Sequence, residues 1–396
     1  MTLQHRRQTH TVALRSLAVA LLWGIPGRLT SQVPTLRTGP VTPIGAEYEF
    51  TRISRGAIGP DGRIALAQPN DGHVLLFDLK ASARPTATAG RRGEGPGEFS
   101  RIANIGWMGS TLWVTDGNKP RAEFFDVGGR VLGSKLFVAT KSSVRQATYA
   151  GPSAVLRDTG AVYFPSMFLG PAGVPPGIKD AAVPILLAKP GASALDTLGL
   201  IRPFRSVLAV EGDRGSTVGS QPFVASDFLK VGAEGQSILV VVQSGPGVEE
   251  GRVQVRVYAA AGARLLETDL GLRGQALTAR TWDSVLTRSA KSYARDVWSS
   301  EGLARTGLQQ LLVRPRFLPV IVDAVLGRDG TMWFRRGPSG SQNAEWLVLS
   351  SSGRKVGIVK LPASTRVLDV TSTAALGVSR DADDLEYPFW MRVTPP

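Results

Sequence analysis

The sequence predicts an all-β protein, a six-bladed β-propeller closed by an N-terminal strand and carrying a helical insertion before the fifth blade. Three observations predict it. A turn followed by a short β-rich strand recurs along the chain. A second mark, an alternating strand with glycine four positions behind its last apolar residue, recurs in step with the first. The turns are spaced as in a chain of four-stranded blades.

Five clear turn marks occupy residues 61–66, 109–114, 159–164, 235–240 and 329–334, and a weaker one spans 371–378. In the clear copies a glycine supplies the positive φ of a tight hairpin, and the Ile, Val, Trp, Tyr and Phe behind it suit a pleated surface. The second mark joins Phe125 to Gly129, Leu187 to Gly191, Tyr258 to Gly262 and Leu349 to Gly353. In the first unit Ala81 stands where that glycine is expected. The turns fall near 62, 110, 160, 235, 330 and 373, so three of the five intervals are 43 to 50 residues, one blade each. The two longer intervals hold insertions.

A ring must join its last blade to its first or leave bare strand edges that invite aggregation. The run 387–393 corresponds to a third strand and the sequence ends at Pro395-Pro396, so the fourth strand is expected from the segment 41–50, with Ile44, Tyr48 and Phe50 apolar.

Composition narrows the chemistry. The chain has 396 residues with 43% hydrophobic and 20% charged, a balance that excludes global disorder. Cysteine is absent, which excludes disulfides, thiolate zinc, iron–sulfur clusters, thiol nucleophiles and a lipidated cysteine. Only His5, His10 and His73 are present, and His73 follows the turn Asn70-Asp71-Gly72 as a surface histidine would.

Arg6, Arg7 and Arg15, an apolar run over 16–27 and the polar stretch 29–32 have the order of a secretory signal peptide. The expected division is a signal peptide over 1–31 and a propeller over 32–396, exported to the periplasm or beyond without a transmembrane anchor, since the apolar run is far shorter than the ~20 residues of a membrane span. The net charge is +14, and losing Arg6, Arg7, Arg15 and Arg28 with no acid beside them leaves +10.

Within about 277–312, Leu277, Trp282, Val285, Leu286, Tyr293 and Val297 recur at near-helical spacing, with Thr281 as N-cap and Asp283 in the first turn. From Arg273 to Arg316 eight bases stand against three acids. Arg288, Lys291 and Arg295 are therefore the candidate contacts for an anionic partner, such as a protein, a glycan or another anionic surface, although a solvated helix face would read the same way. Aromatics interleave poorly with these bases, which argues against a nucleic-acid platform. The other insertion, 167–180, reads as an irregular Gly/Pro loop.

Residues 90–99, Gly-Arg-Arg-Gly-Glu-Gly-Pro-Gly-Glu-Phe, followed by Ile105-Gly106-Trp107 and by Val114-Thr115-Asp116, Asn118, Arg121 and Phe125-Asp126, resemble an NHL-type six-bladed propeller. The match is close in the second blade, where Pro120 departs from the pattern, and loose elsewhere. The overall layout resembles exported bacterial six-bladed propellers. Asp116, Asn118 and Asp126 also read as hairpin residues bonding nearby amides, and the loop holding Glu94 and Glu98 as a connector between blades.

These observations favour a non-catalytic binding or scaffold propeller that recognises its partner through one face. The alternative is a metal-dependent hydrolase or lyase similar to lactonases and amidating lyases, whose axial metal would here be calcium held by oxygens alone.

Overall fold

Alternating strands separated by glycine turns form six consecutive four-stranded antiparallel sheets in a computed structural model, which describes residues 33–78, 83–137, 147–149, 151–167, 181–192, 194–243, 251–337 and 342–395. Blade 1 comprises Arg55–Ile58, Ile64–Gln68, His73–Phe77 and Ala87–Ala89; blade 2 Ile102–Met108, Thr111–Asp116, Arg121–Phe125 and Val131–Leu136. Blade 3 comprises Ala154–Val155, Ala161–Tyr163, Val183–Ala188 and Leu195–Ile201; blade 4 Phe228–Val231, Ser237–Val242, Gln254–Ala259 and Arg264–Asp269. Blade 5 comprises Ile321–Leu326, Met332–Arg336, Asn343–Leu349 and Lys355–Pro362. The expected signal peptide, Ala81 and most of the 167–180 insertion lie outside the described residues.

Both glycine marks have a backbone cause. Gly62, Gly109, Gly235 and Gly330 turn the first hairpin of their blades, and Gly129, Gly191, Gly262 and Gly353 the last, all at φ between 56° and 92°. Blade 3 departs: Gly160 has φ −71°, and Asp158 takes the left-handed position at φ 66° inside a 3-10 turn. Asp tolerates that conformation better than most residues.

Blade 6 consists of Arg366–Val370, Ala374–Arg380 and Glu386–Thr394, completed by the N-terminal strand Arg37–Pro43. Val41 faces Met391 and Pro43 faces Phe389 in antiparallel register. Closure is as expected, but its strand lies upstream of the one read from the sequence: only residues 41–43 of the expected 41–50 belong to it. Ile44, Tyr48 and Phe50 instead leave the strand and pack with Ile53, Phe77, Leu376 and Trp390 where blade 6 meets blade 1. Faces packed against neighbouring blades supply the core, with Trp107, Trp113, Trp333 and Trp346 all buried. Each such side chain contributes on the order of 2–3 kcal/mol.

Two insertions form a module with its own apolar core. A hairpin, Val207–Gly212 and Gly215–Ser220, lies between blades 3 and 4; helices α1 (Ala279–Tyr293) and α2 (Glu301–Leu311) lie between blades 4 and 5. Leu208 and Val210 pack against Leu286, Ala290, Val297, Trp298 and Leu308. Thr278, rather than Thr281, caps α1: its side chain accepts the Thr281 amide at 3.1 Å. The cap falls one turn earlier because the Thr-x-x-Thr spacing offers the hydroxyl to an otherwise unbonded amide.

Candidate functional site

The first strand of each blade pairs only with the second, so six strand edges face the ring axis. They surround a cavity of about 530 Å3 to which every blade contributes. Its floor is a network of hairpin turns. The Trp107 amide donates to Ala233 O at 2.7 Å, Arg328 Nη1 to Gly59 O at 2.7 Å, and Gln236 Nε2 to Arg328 O at 2.7 Å, tying blades 2, 4, 5 and 1 together. The mouth lies at the opposite end, where the first strands begin. In an antiparallel blade the connections to the next blade emerge at that same end, so the hairpin and helix insertions belong to the face that carries the mouth.

Positive charge gathers there. Arg55 and Arg366 open the first strands of blades 1 and 6, and Arg101 immediately precedes that of blade 2. Arg366 Nη2 is engaged by Glu386 at 2.9 Å and by Ile53 O at 2.6 Å. Arg55 donates to Ser54 O at 2.9 Å; among the described residues no carboxylate forms an ion pair with Arg55 or Arg101. Crowding by surrounding protein lowers the Arg55 pKa, an effect opposed by Asp323 and reinforced by Arg366 and Arg101. Asp323 is itself held by Lys230 at 2.8 Å.

Three bulged first strands send a side-chain oxygen back to the next amide: Asn104 to Ile105, Asp323 to Ala324 and Asp369 to Val370. The buried Asp369 also accepts the Ile58 amide at 2.7 Å. Desolvation dominates its titration and pushes it up to about 7, against the pull of those two amides and of Arg328. Strand alternation leaves the backbone groups of Gly56, Leu229 and Val231 facing the cavity, because the neighbouring Gly59 and Gly232 amides turn toward the second strands.

The sequence candidates lie elsewhere. Arg288 and Lys291 are exposed on α1, and Arg295 is exposed just beyond its end. Arg305, by contrast, is drawn to Asp283 and Thr287 between the helices. The His73 ring pairs with Gln68 Oε1 at 3.0 Å, and burial lowers its pKa. The 90–99 loop is a connector: Glu98 accepts the Glu94 and Gly95 amides, and Arg121 donates to Gly95 O and Glu98 O. Asp116 accepts the Ser100 and Asn118 amides, and Asp126 those of Gly128 and Arg130.

Calcium needs six to eight oxygens. The side-chain oxygens of Asn104 and Asp369 and Oδ1 of Asp323 are engaged by amides and Lys230, and among the described residues no cluster of three or more His, Asp or Glu comes together. These residues do not fit an axial calcium site.

Sequence reasoning missed Arg55 and Arg366, although a signal existed. The residues seven positions before the turn marks are Arg55, Ala103, Ser153, Phe228, Asp323 and Arg366, a column that all but Phe228 place on the cavity wall.

Among the described residues no helix is long and apolar enough to cross a membrane. No family model and no curated protein matches the chain. Solved structures similar in fold include a Bacteroides fragilis protein assigned to export, at 7% identity over 91% of this chain and 95% of that one, TM-score 0.45. A luciferin-regenerating enzyme is similar at 9% identity over 90% and 97%, TM-score 0.42, and virginiamycin B lyase from Staphylococcus aureus at 9% over 90% and 99%, TM-score 0.39.

Proposed function

We propose that the protein is an exported binding propeller that takes an anionic ligand into its one-ended axial cavity. The observation that carries this reading is the mouth, where Arg55 lines the cavity beside Arg366 and, among the described residues, forms no ion pair with a carboxylate. Arg55, whose charge is disfavoured by surrounding protein and by the nearby Arg366, gains from an anion placed beside it. The exposed Arg288, Lys291 and Arg295 extend positive charge over the same face and are assigned to the outer part of an anionic partner. The N-terminal charge and apolar pattern supports export.

Thermal-shift measurements with phosphate, citrate and glucuronate test the cavity. At least one anion is expected to raise the melting temperature of the parent protein but not of Arg55→Ala, because only a ligand bound to the native state stabilises it by mass action. Shifts that are absent, or identical in the variant, would refute the cavity reading. Heparin retention should weaken on neutralising Arg288, Lys291 and Arg295; unchanged retention removes the helix from the site.

A further inference from the structure

We infer that the anion is the end of an acidic saccharide chain, a carboxylate-bearing sugar inserted through the mouth; this rests on the anion-binding reading above. Three features of the cavity select this class. Its walls are strand edges, and the backbone groups of Gly56, Leu229 and Val231 offer both donors and acceptors to whatever enters. Asn104 and Ser153 add polar wall surface, and Asn104 Nδ2 already bridges to Ser153 O at 3.2 Å. Among the described residues the buried hydroxyl of Ser54, a residue of the wall, has no hydrogen-bond partner. A ligand rich in hydroxyls satisfies such a wall because each hydroxyl donates and accepts, whereas an acyl chain would strand these groups and phosphate would reach few of them.

The second feature is the separation of charge from depth. Arg55, without an ion pair among the described residues, stands with Arg366 at the mouth, while Asp369 lies further along the first strand of blade 6, toward the turn floor. A carboxylate therefore belongs at the rim and neutral hydroxyls beyond it. The third feature is the floor itself. The bonds from Trp107 to Ala233 and from Arg328 to Gly59 close the ring, so a polymer cannot thread through and only its terminus enters. At about 530 Å3 the cavity is within the ~300–1,000 Å3 range of small-ligand pockets, enough for terminal sugars rather than a long segment.

Calorimetry with trigalacturonate, neutral maltotriose, inorganic phosphate and octanoate tests the inference on the full folded protein. Trigalacturonate is expected to bind at one per protein and at least tenfold more tightly than the other three. It should lose at least tenfold on Arg55→Ala and recover in part with Arg55→Lys, both variants retaining the parent melting temperature. Polygalacturonate should bind one protein per accessible chain end. If phosphate or octanoate matches trigalacturonate while still depending on Arg55, the saccharide inference falls and the anion cavity stands. If maltotriose matches it, the carboxylate assignment falls. If no probe binds in an Arg55-dependent way, both readings fall.

Discussion

Glu386 joins the last blade to the first, and its removal measures what that joint contributes. Oε2 accepts the Ile53 amide at 2.6 Å, while Oε1 accepts Arg366 at 2.9 Å and Arg380 at 2.7 Å. Glu386 is 5% exposed and Ile53 fully buried, so Glu386→Ala leaves a buried N–H without a partner, a loss of about 1–3 kcal/mol. Arg366 and Arg380 expose 37% and 41% of their side chains and can turn to water, so each lost ion pair adds only about 0–1 kcal/mol. The expected cost is about 3 kcal/mol. At ~2.1 cal/mol/K per residue, a ring of this length has an unfolding entropy of roughly 0.75 kcal/mol/K, which puts the drop in melting temperature near 4 °C. Urea titration should show a lower midpoint at unchanged slope. Asp196→Ala is the internal control, since its pair with Lys189 at 2.7 Å is half exposed on both sides and should cost under about 0.5 kcal/mol. A Glu386→Ala cost no larger than the Asp196→Ala cost would refute the argument that a buried carboxylate clamps the junction.

Deleting the N-terminal residues through Pro43 removes the closing strand and bares the edge of Glu386–Thr394; the product should melt lower and self-associate on size exclusion, and a monomer of parent stability would contradict closure. Asp369 titrates near 7 when folded and near 4 when unfolded, so its contribution is fully present below pH ~4 and is lost as pH rises to about 7; Asp369→Asn should remove that slope between pH 4.5 and 7.5, and an unchanged difference between variant and parent across the range would count against it. A Cβ at Gly212 would lie 2.3 Å from Val297 O and 2.8 Å from Trp298, so Gly212→Ala should open the insertion module, seen as altered tryptophan fluorescence and faster proteolysis there, at a cost of about 1–3 kcal/mol. Unaltered fluorescence and proteolysis would show that the hairpin and helices do not depend on that contact.

What could be read in advance was whatever the backbone demands locally. A left-handed turn requires glycine or a short polar residue at a fixed place, so Gly62, Gly129 and their counterparts announced the hairpins and hence the blade count. The closing strand Arg37–Pro43 obeyed no such demand. It is the outermost strand of its blade, its residues are mostly exposed, and Pro40 costs nothing on an unpaired edge, so it carries neither alternation nor a glycine signal. The apolar signal belongs instead to Ile44, Tyr48 and Phe50, which pack in the seam behind that strand rather than form it.

The cavity was hidden for a different reason. Arg55 and Arg366 are neighbours across the ring junction yet lie at opposite ends of the sequence, and each looks like an ordinary surface arginine beside its own neighbours in the chain. Their relation becomes visible only when the blades are superposed on the turn marks, because an axial site in a repeat ring is a column through the repeats and not a motif within one. The Arg288, Lys291 and Arg295 row was legible because helical periodicity is local, and its assignment to the cavity face follows from where a blade-to-blade insertion must emerge. Local spacing thus identifies the outer basic surface, but only the ring register converts scattered Arg55, Asp323 and Arg366 into one wall. A scan of all six first strands by charge exchange would test that register: substitutions at Arg55, Asp323 and Arg366 should alter anion binding together, while the same exchanges on fourth strands, at Arg264 or Lys355, should leave it unchanged.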